Sequence, residues 1–170
     1  MAQRKPSSTD RYMVTEKYIV TRGTALHFPS KTFGKNITPD TVYGVIVDIP
    51  ISPNILATLV TYINGAANLY FNNGGEYIGA AQRYQTVAQP ARILVANAPR
   101  MLGDCKKTTK LDLPSREKHH IHLVTKNGIY KKELVLANLP NESKDVQTVV
   151  YLYQQVMNAL HTAQLKDQLK

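Results

Sequence analysis

The sequence predicts an α+β fold, a two-layer domain in which a mostly antiparallel sheet of about five strands carries two long helices on one face. Asn-Gly pairs at Asn64-Gly65 and Asn127-Gly128 each divide two strand-like runs, LATLVTYINGAANLYF and HIHLVTKNGIYKKELVL. Asn and Gly both tolerate the positive φ that a type I′ turn requires, so each pair reads as a hairpin. An amphipathic stretch long enough for a helix follows each hairpin, giving the order strand, hairpin, helix, hairpin, helix.

Residues 1–39 read as a basic arm, partly flexible, with a boundary near Pro39 before a single domain over 40–170. Within the arm, Tyr12-Met13-Val14 and Tyr18-Ile19-Val20 fit a strand or a short helix equally well. The run VYGVIVDI, 42–49, is β-branched and apolar on both faces, the pattern of a central strand. Gly44 inside it marks a bulge or a tight helix contact, or else the close approach of another backbone or a ligand, and Pro50 and Pro53 should end it. Strands follow at about 56–63 and 66–71. From Ala81 to about Leu102, Tyr84, Val87, Ala88, Ala91, Leu94, Val95, Ala98, Met101 and Leu102 recur at helical spacing, with a kink or a break expected at Pro90 and either the final turn or the start of a short extra turn at Pro99. A polar, basic linker leads to the second hairpin. Ser143 then caps a last helix from Lys144 to about Leu165, whose buried stripe runs from Val146 to Ala163.

The net charge is +9, concentrated as +4 over residues 1–40 and +5 over 104–132. Such a field attracts an acidic protein face, anionic lipid or nucleic acid. Lys106, Lys107, Lys110, Arg116, Lys118, Lys126, Lys131 and Lys132 form a candidate anion or partner surface, suited to sequence-independent phosphate contact. No apolar run reaches the roughly 20 residues of a membrane span. With no secretory pattern and one cysteine, Cys105, the expected location is the cytoplasm.

Three constellations could carry chemistry. His120 and His122 alternate onto one face of a strand and could share a metal ion, although no carboxylate or cysteine lies at a matching close spacing. Cys105 beside Lys106 and Lys107 could be an activated thiol. NNGGEYIG ahead of a helix could place a pocket near Gly74, Gly75 and Gly79, yet it matches neither the dinucleotide nor the Walker pattern. No cofactor is expected.

The element order resembles, in topology alone, the profilin-like group of small modules that includes roadblock and longin domains. That resemblance implies a dimerising platform for small GTPases and other partners, presented on a sheet edge or a helix pair. The leading expectation is a non-catalytic interaction or scaffold domain whose partner is a protein, a second copy included. A ligand-binding or catalytic domain at the glycine-rich turn is the alternative, followed by nucleic-acid binding through the basic segments.

Overall fold

The run around Val45 becomes the middle of the sheet, as its apolarity on both faces demands. The computed structural model describes residues 12–170 and has seven antiparallel strands: β1 Gly44–Ser52, β2 Ile55–Tyr62, β3 Ala67–Phe71, β4 Glu76–Tyr77, β5 Lys106–Thr108, β6 Lys118–Thr125 and β7 Gly128–Val135. Their order is β4-β3-β2-β1-β6-β7-β5. Five of them are the strands the sequence predicts. The two extra ones, β4 and β5, span two and three residues and are too short to show a period.

β1 runs through Pro50 rather than ending there. Pro50 lies beyond the stretch paired with β6, Gly44 to Asp48, and a bulge between Pro50 and Ser52 absorbs the irregularity. Gly44 marks a tight contact: a Cβ there would meet the Tyr62 ring at 3.1 Å. The Tyr62 hydroxyl in turn donates to the Ala25 carbonyl at 2.7 Å.

Both Asn-Gly pairs make hairpins, but not through type I′ turns. No described residue other than glycine has positive φ; Gly65 is at +89° and Gly128 at +127°. The asparagines take ordinary turn dihedrals and the glycine alone supplies the reversal, as in a type I turn closed by a glycine bulge.

Among the described residues four α-helices lie against the sheet: α1 Glu16–Leu26, α2 Ala80–Arg83, α3 Gln85–Asn97 and α4 Lys144–Gln168. The interruption expected at Pro90 falls earlier, at Tyr84, whose backbone is extended. That conformation lets the Tyr84 hydroxyl donate to Asp167 at 2.6 Å, where Tyr77 (2.6 Å) and Arg83 (2.7 Å) also donate, pinning the end of α4. Pro99 opens a short 3-10 turn after α3. The Ser143 hydroxyl accepts the Val146 N–H at 3.2 Å and starts α4 as expected.

α3 and α4 pack side by side on one face, burying Leu94, Val95, Val149, Tyr153, Val156 and Leu160 against Val45, Val47, Leu59, Ile121 and Leu123. The opposite face is covered too. Residues 12–39, set apart from sequence as part of an arm, pack onto the sheet: Tyr12, Tyr18, Ala25, Leu26 and Ile37 are buried against Ile46, Leu56, Val60, Val124 and Leu113. Thr15 caps α1 by accepting the Tyr18 N–H at 3.1 Å, so Tyr18-Ile19-Val20 is helical, whereas Tyr12-Met13-Val14 lies before the helix in neither strand nor helix. Residues 1–11 lie outside the described residues. No helix among the described residues is long and apolar enough to cross a membrane.

Candidate functional site

Cross-strand register assembles a polar row on the α1 side of the sheet. Thr58 of β2 pairs with Asp48 of β1, Asp48 with His120 of β6, and His120 with Glu133 of β7, while His122 sits in the next row between Ile46 and Lys131. Asp48 and His122 are fully buried and His120 is 3% exposed. One donor atom from each of Asp48, His120 and His122 lies within 4.8 Å of those of the other two.

α1 completes the cluster. Arg22 forks onto Asp48, Nε to Oδ1 at 3.0 Å and a terminal nitrogen to Oδ2 at 2.7 Å, and donates to the Leu111 carbonyl at 2.7 Å. Thr58 donates to Asp48 Oδ1 at 2.8 Å. The Tyr18 and Thr58 hydroxyls are 2.6 Å apart. Burial alone would raise the Asp48 pKa, but the charge and hydrogen bonds of Arg22, followed by His122 and Thr58, hold it below the usual carboxylate value.

The histidine tautomers follow from their neighbours. A carbonyl oxygen can only accept, so Nδ1 of His122 donates to Ile46 at 3.0 Å and Nδ1 of His120 donates to Asp112 at 3.2 Å. In the neutral rings both Nε2 atoms are then bare lone pairs. That of His122 has no hydrogen-bond partner among the described residues, and that of His120 faces Glu133 Oε1 at 3.5 Å, acceptor against acceptor. Burial lowers both pKa values, that of His122 to about 4, with Asp48 opposing. His119 points to the other face, where it bonds the Tyr153 hydroxyl at 2.7 Å.

His120 and His122 thus share a face, as their spacing predicts. The carboxylate that the sequence lacked nearby comes from β1, and only strand register could have supplied it. Arg22 and Glu133 were equally invisible, since neither stands near the histidine run.

The basic residues do not form one surface. Lys106 and Lys131 belong to the α1 side, whereas Lys107 and Lys132 pair in register with residues of the α3–α4 side. Lys131 approaches Asp112 (3.5 Å) and Glu133 (3.7 Å), Lys132 meets Glu142 (3.1 Å) and Lys118 meets Glu133 (3.5 Å). Lys110, Arg116 and Lys126 sit exposed on loops and a turn.

Cys105 is not an activated thiol. Its S–H points to the Met101 carbonyl at 3.4 Å, and burial, aided by Asp104 against Lys132, pushes its pKa up to about 12. Alkylation by iodoacetamide at pH 8 should therefore run at least ~100-fold slower in the native chain than in urea, as read by mass spectrometry. Comparable rates would show an accessible thiolate.

The glycine-rich turn is satisfied internally. The Gly75 N–H donates to Asn73 Oδ1 at 2.9 Å and the Gly79 N–H to Asn68 Oδ1 at 3.0 Å. The Gly74 N–H donates to the Phe71 carbonyl at 2.9 Å, and α2 beyond the turn spans four residues.

The outer face of the helical layer has a different character. Between Val146 and Leu165, α4 contains no Asp, Glu, Lys or Arg, and α3 has only Arg92, which reaches back to the Asn64 carbonyl at 3.2 Å. Ile93, Tyr151 and Leu165 are exposed on this layer. By contrast, the sheet ends in β4 and β5, and β5 carries the exposed Lys106 and Lys107. No family model, curated protein or solved structure matches the chain.

Proposed function

We propose that this protein is a non-catalytic interaction module that self-associates through the outer face of α3 and α4. The observation that carries the reading is the scarcity of formal charge on that layer in a chain of net charge +9: Arg92 is the one charged side chain of α3, and α4 has none between Val146 and Leu165. Two copies repel each other through their long-range field, so contact is favoured where no like charges meet. Depletion of charge together with exposed Tyr and aliphatic side chains is the composition of an interface centre. Tyr151, 59% exposed, is the natural anchor, and Ile93 and Leu165 are further exposed apolar side chains of the same layer.

The sheet edges fit a docking role poorly. A two-residue edge at one end and a lysine-bearing three-residue edge at the other offer little ladder for an added strand, and both features blunt edge pairing. The cytoplasmic location expected from sequence is compatible with this role, and the divided lysines favour a protein partner over a phosphate backbone.

Sedimentation velocity over a hundredfold concentration range tests the proposal. A dimer should form at micromolar concentrations and strengthen with salt as the +9 field is screened. Tyr151→Lys with Ile93→Lys should weaken it at least ~100-fold without changing the circular dichroism spectrum. A monomer throughout, or a dimer indifferent to both lysines, would overturn the proposal.

A further inference from the structure

We propose that Asp48, His120 and His122 bind one divalent transition-metal ion of the zinc class, with Glu133 as the entry ligand at the mouth of the site. The first ground is the pair of bare Nε2 atoms. A buried lone pair without a donor costs free energy, and a lone pair held 3.5 Å from a carboxylate oxygen is repelled by it. One cation between these atoms answers both deficits.

The second ground is how the donors are held. Metal-bound imidazoles characteristically donate their other ring N–H to a carbonyl or carboxylate, and metal-bound carboxylates are themselves hydrogen-bonded. His120 donates to Asp112, His122 to Ile46, and Asp48 is gripped by Thr58 and Arg22, so this support exists within the protein alone. The side chains rise from adjacent, central strands, which fixes their spacing. Glu133, with 46% of its side chain exposed, connects the buried donors to solvent.

The charges facing the cluster set its selectivity. Arg22 touches Asp48, and Lys131 approaches Glu133 at 3.7 Å; both oppose an incoming cation. Hard ions that rely on several carboxylates, such as Ca²⁺ and Mg²⁺, find Asp48 already engaged by Arg22 and Thr58 and only Glu133 beside it, and are disfavoured. Zn²⁺ gains from imidazole nitrogen and tolerates the set, with water or Glu133 completing four-coordination.

The test is titration of the full-length, chelator-stripped chain with zinc chloride against a chromophoric competitor. One site per chain with a Kd of about 1 μM or tighter is expected, with no competition from millimolar Mg²⁺ or Ca²⁺. His120→Gln and His122→Gln should each weaken it at least ~10-fold and Glu133→Gln a few-fold, while the exposed His27→Ala and His161→Ala leave it unchanged. Should a buried-histidine variant unfold, the visible absorption of the Co²⁺-loaded natural chain decides: tetrahedral bands sustain the site. Absence of those bands, absence of saturable zinc binding, or undiminished affinity in folded His122→Gln overturns it.

Discussion

Replacing Arg22 by methionine should cost the folded state about 3–5 kcal/mol, the largest effect expected of any single substitution on the α1 side. Asp48 would keep its place in the middle of the sheet, fully buried, but lose both bonds of the guanidinium fork and the charge that holds it ionised. Breaking one partner out of a buried ion pair leaves an uncompensated charge, which is far worse than removing both. Asp48→Leu in the same chain should therefore restore much of the loss, since a pair exchanged for packed apolar groups is often near neutral. Urea unfolding at pH 7 across this double-mutant cycle reads the coupling directly, and a value of several kcal/mol is expected. The Arg22→Met chain has a further signature: its carboxyl is relieved by protonation, so its deficit should shrink as pH falls toward 5. A loss below ~1 kcal/mol would mean that α1 is not docked on the sheet in solution.

The same pair explains what could and could not be read in the sequence. β1, β2, β3, β6 and β7 were legible because burial on one or both faces writes β-branched and alternating patterns that need no knowledge of partners. α4 was legible because its stripe from Val146 to Ala163 is long and unbroken by charge. α1 was not, since Arg22 lies in the centre of its buried face between Tyr18 and Leu26. A helix whose inward stripe contains a cation reads as a solvated one until its counter-ion is known, and Asp48 stands far along the chain near the end of the strand read over 42–49. The hairpins were found by the right residues for partly the wrong reason: glycine alone needed positive φ, so Asn-Gly located each turn without fixing its type. Of the site, local spacing revealed His120 and His122 as a pair. Asp48, Glu133 and Arg22 arrive through strand register and helix docking, information that resides in long-range pairing and not in any short window.

Acid should begin to destabilise this protein above the pH at which ordinary carboxylates titrate. In buffer containing a chelator, stability is expected to fall by about 3 kcal/mol from His122 alone between pH 7 and pH 4. The sign follows from the direction of the shift. Unfolded histidine accepts a proton near its ordinary value of about 6.5. In the folded chain burial keeps His122 neutral down to about 4, with Asp48 pulling the other way and Arg22 and His120 reinforcing neutrality. Within that window the unfolded state binds more protons, so each unit of acid removes about 1.4 kcal/mol until His122 charges in the native state as well. His119 and His120, also lowered by burial, add in the same direction. Asp48 does not contribute there: its pKa is lowered, so the stability it supplies is complete above the ordinary carboxylate value and is lost only below it. Urea midpoints at pH 7, 6, 5 and 4 measure the slope, and His122→Leu should flatten it by about 1.4 kcal/mol per pH unit. An unchanged slope in a folded His122→Leu chain would show that His122 already carries its proton in the native state, and would place a charged imidazolium, not a bare lone pair, beside Asp48.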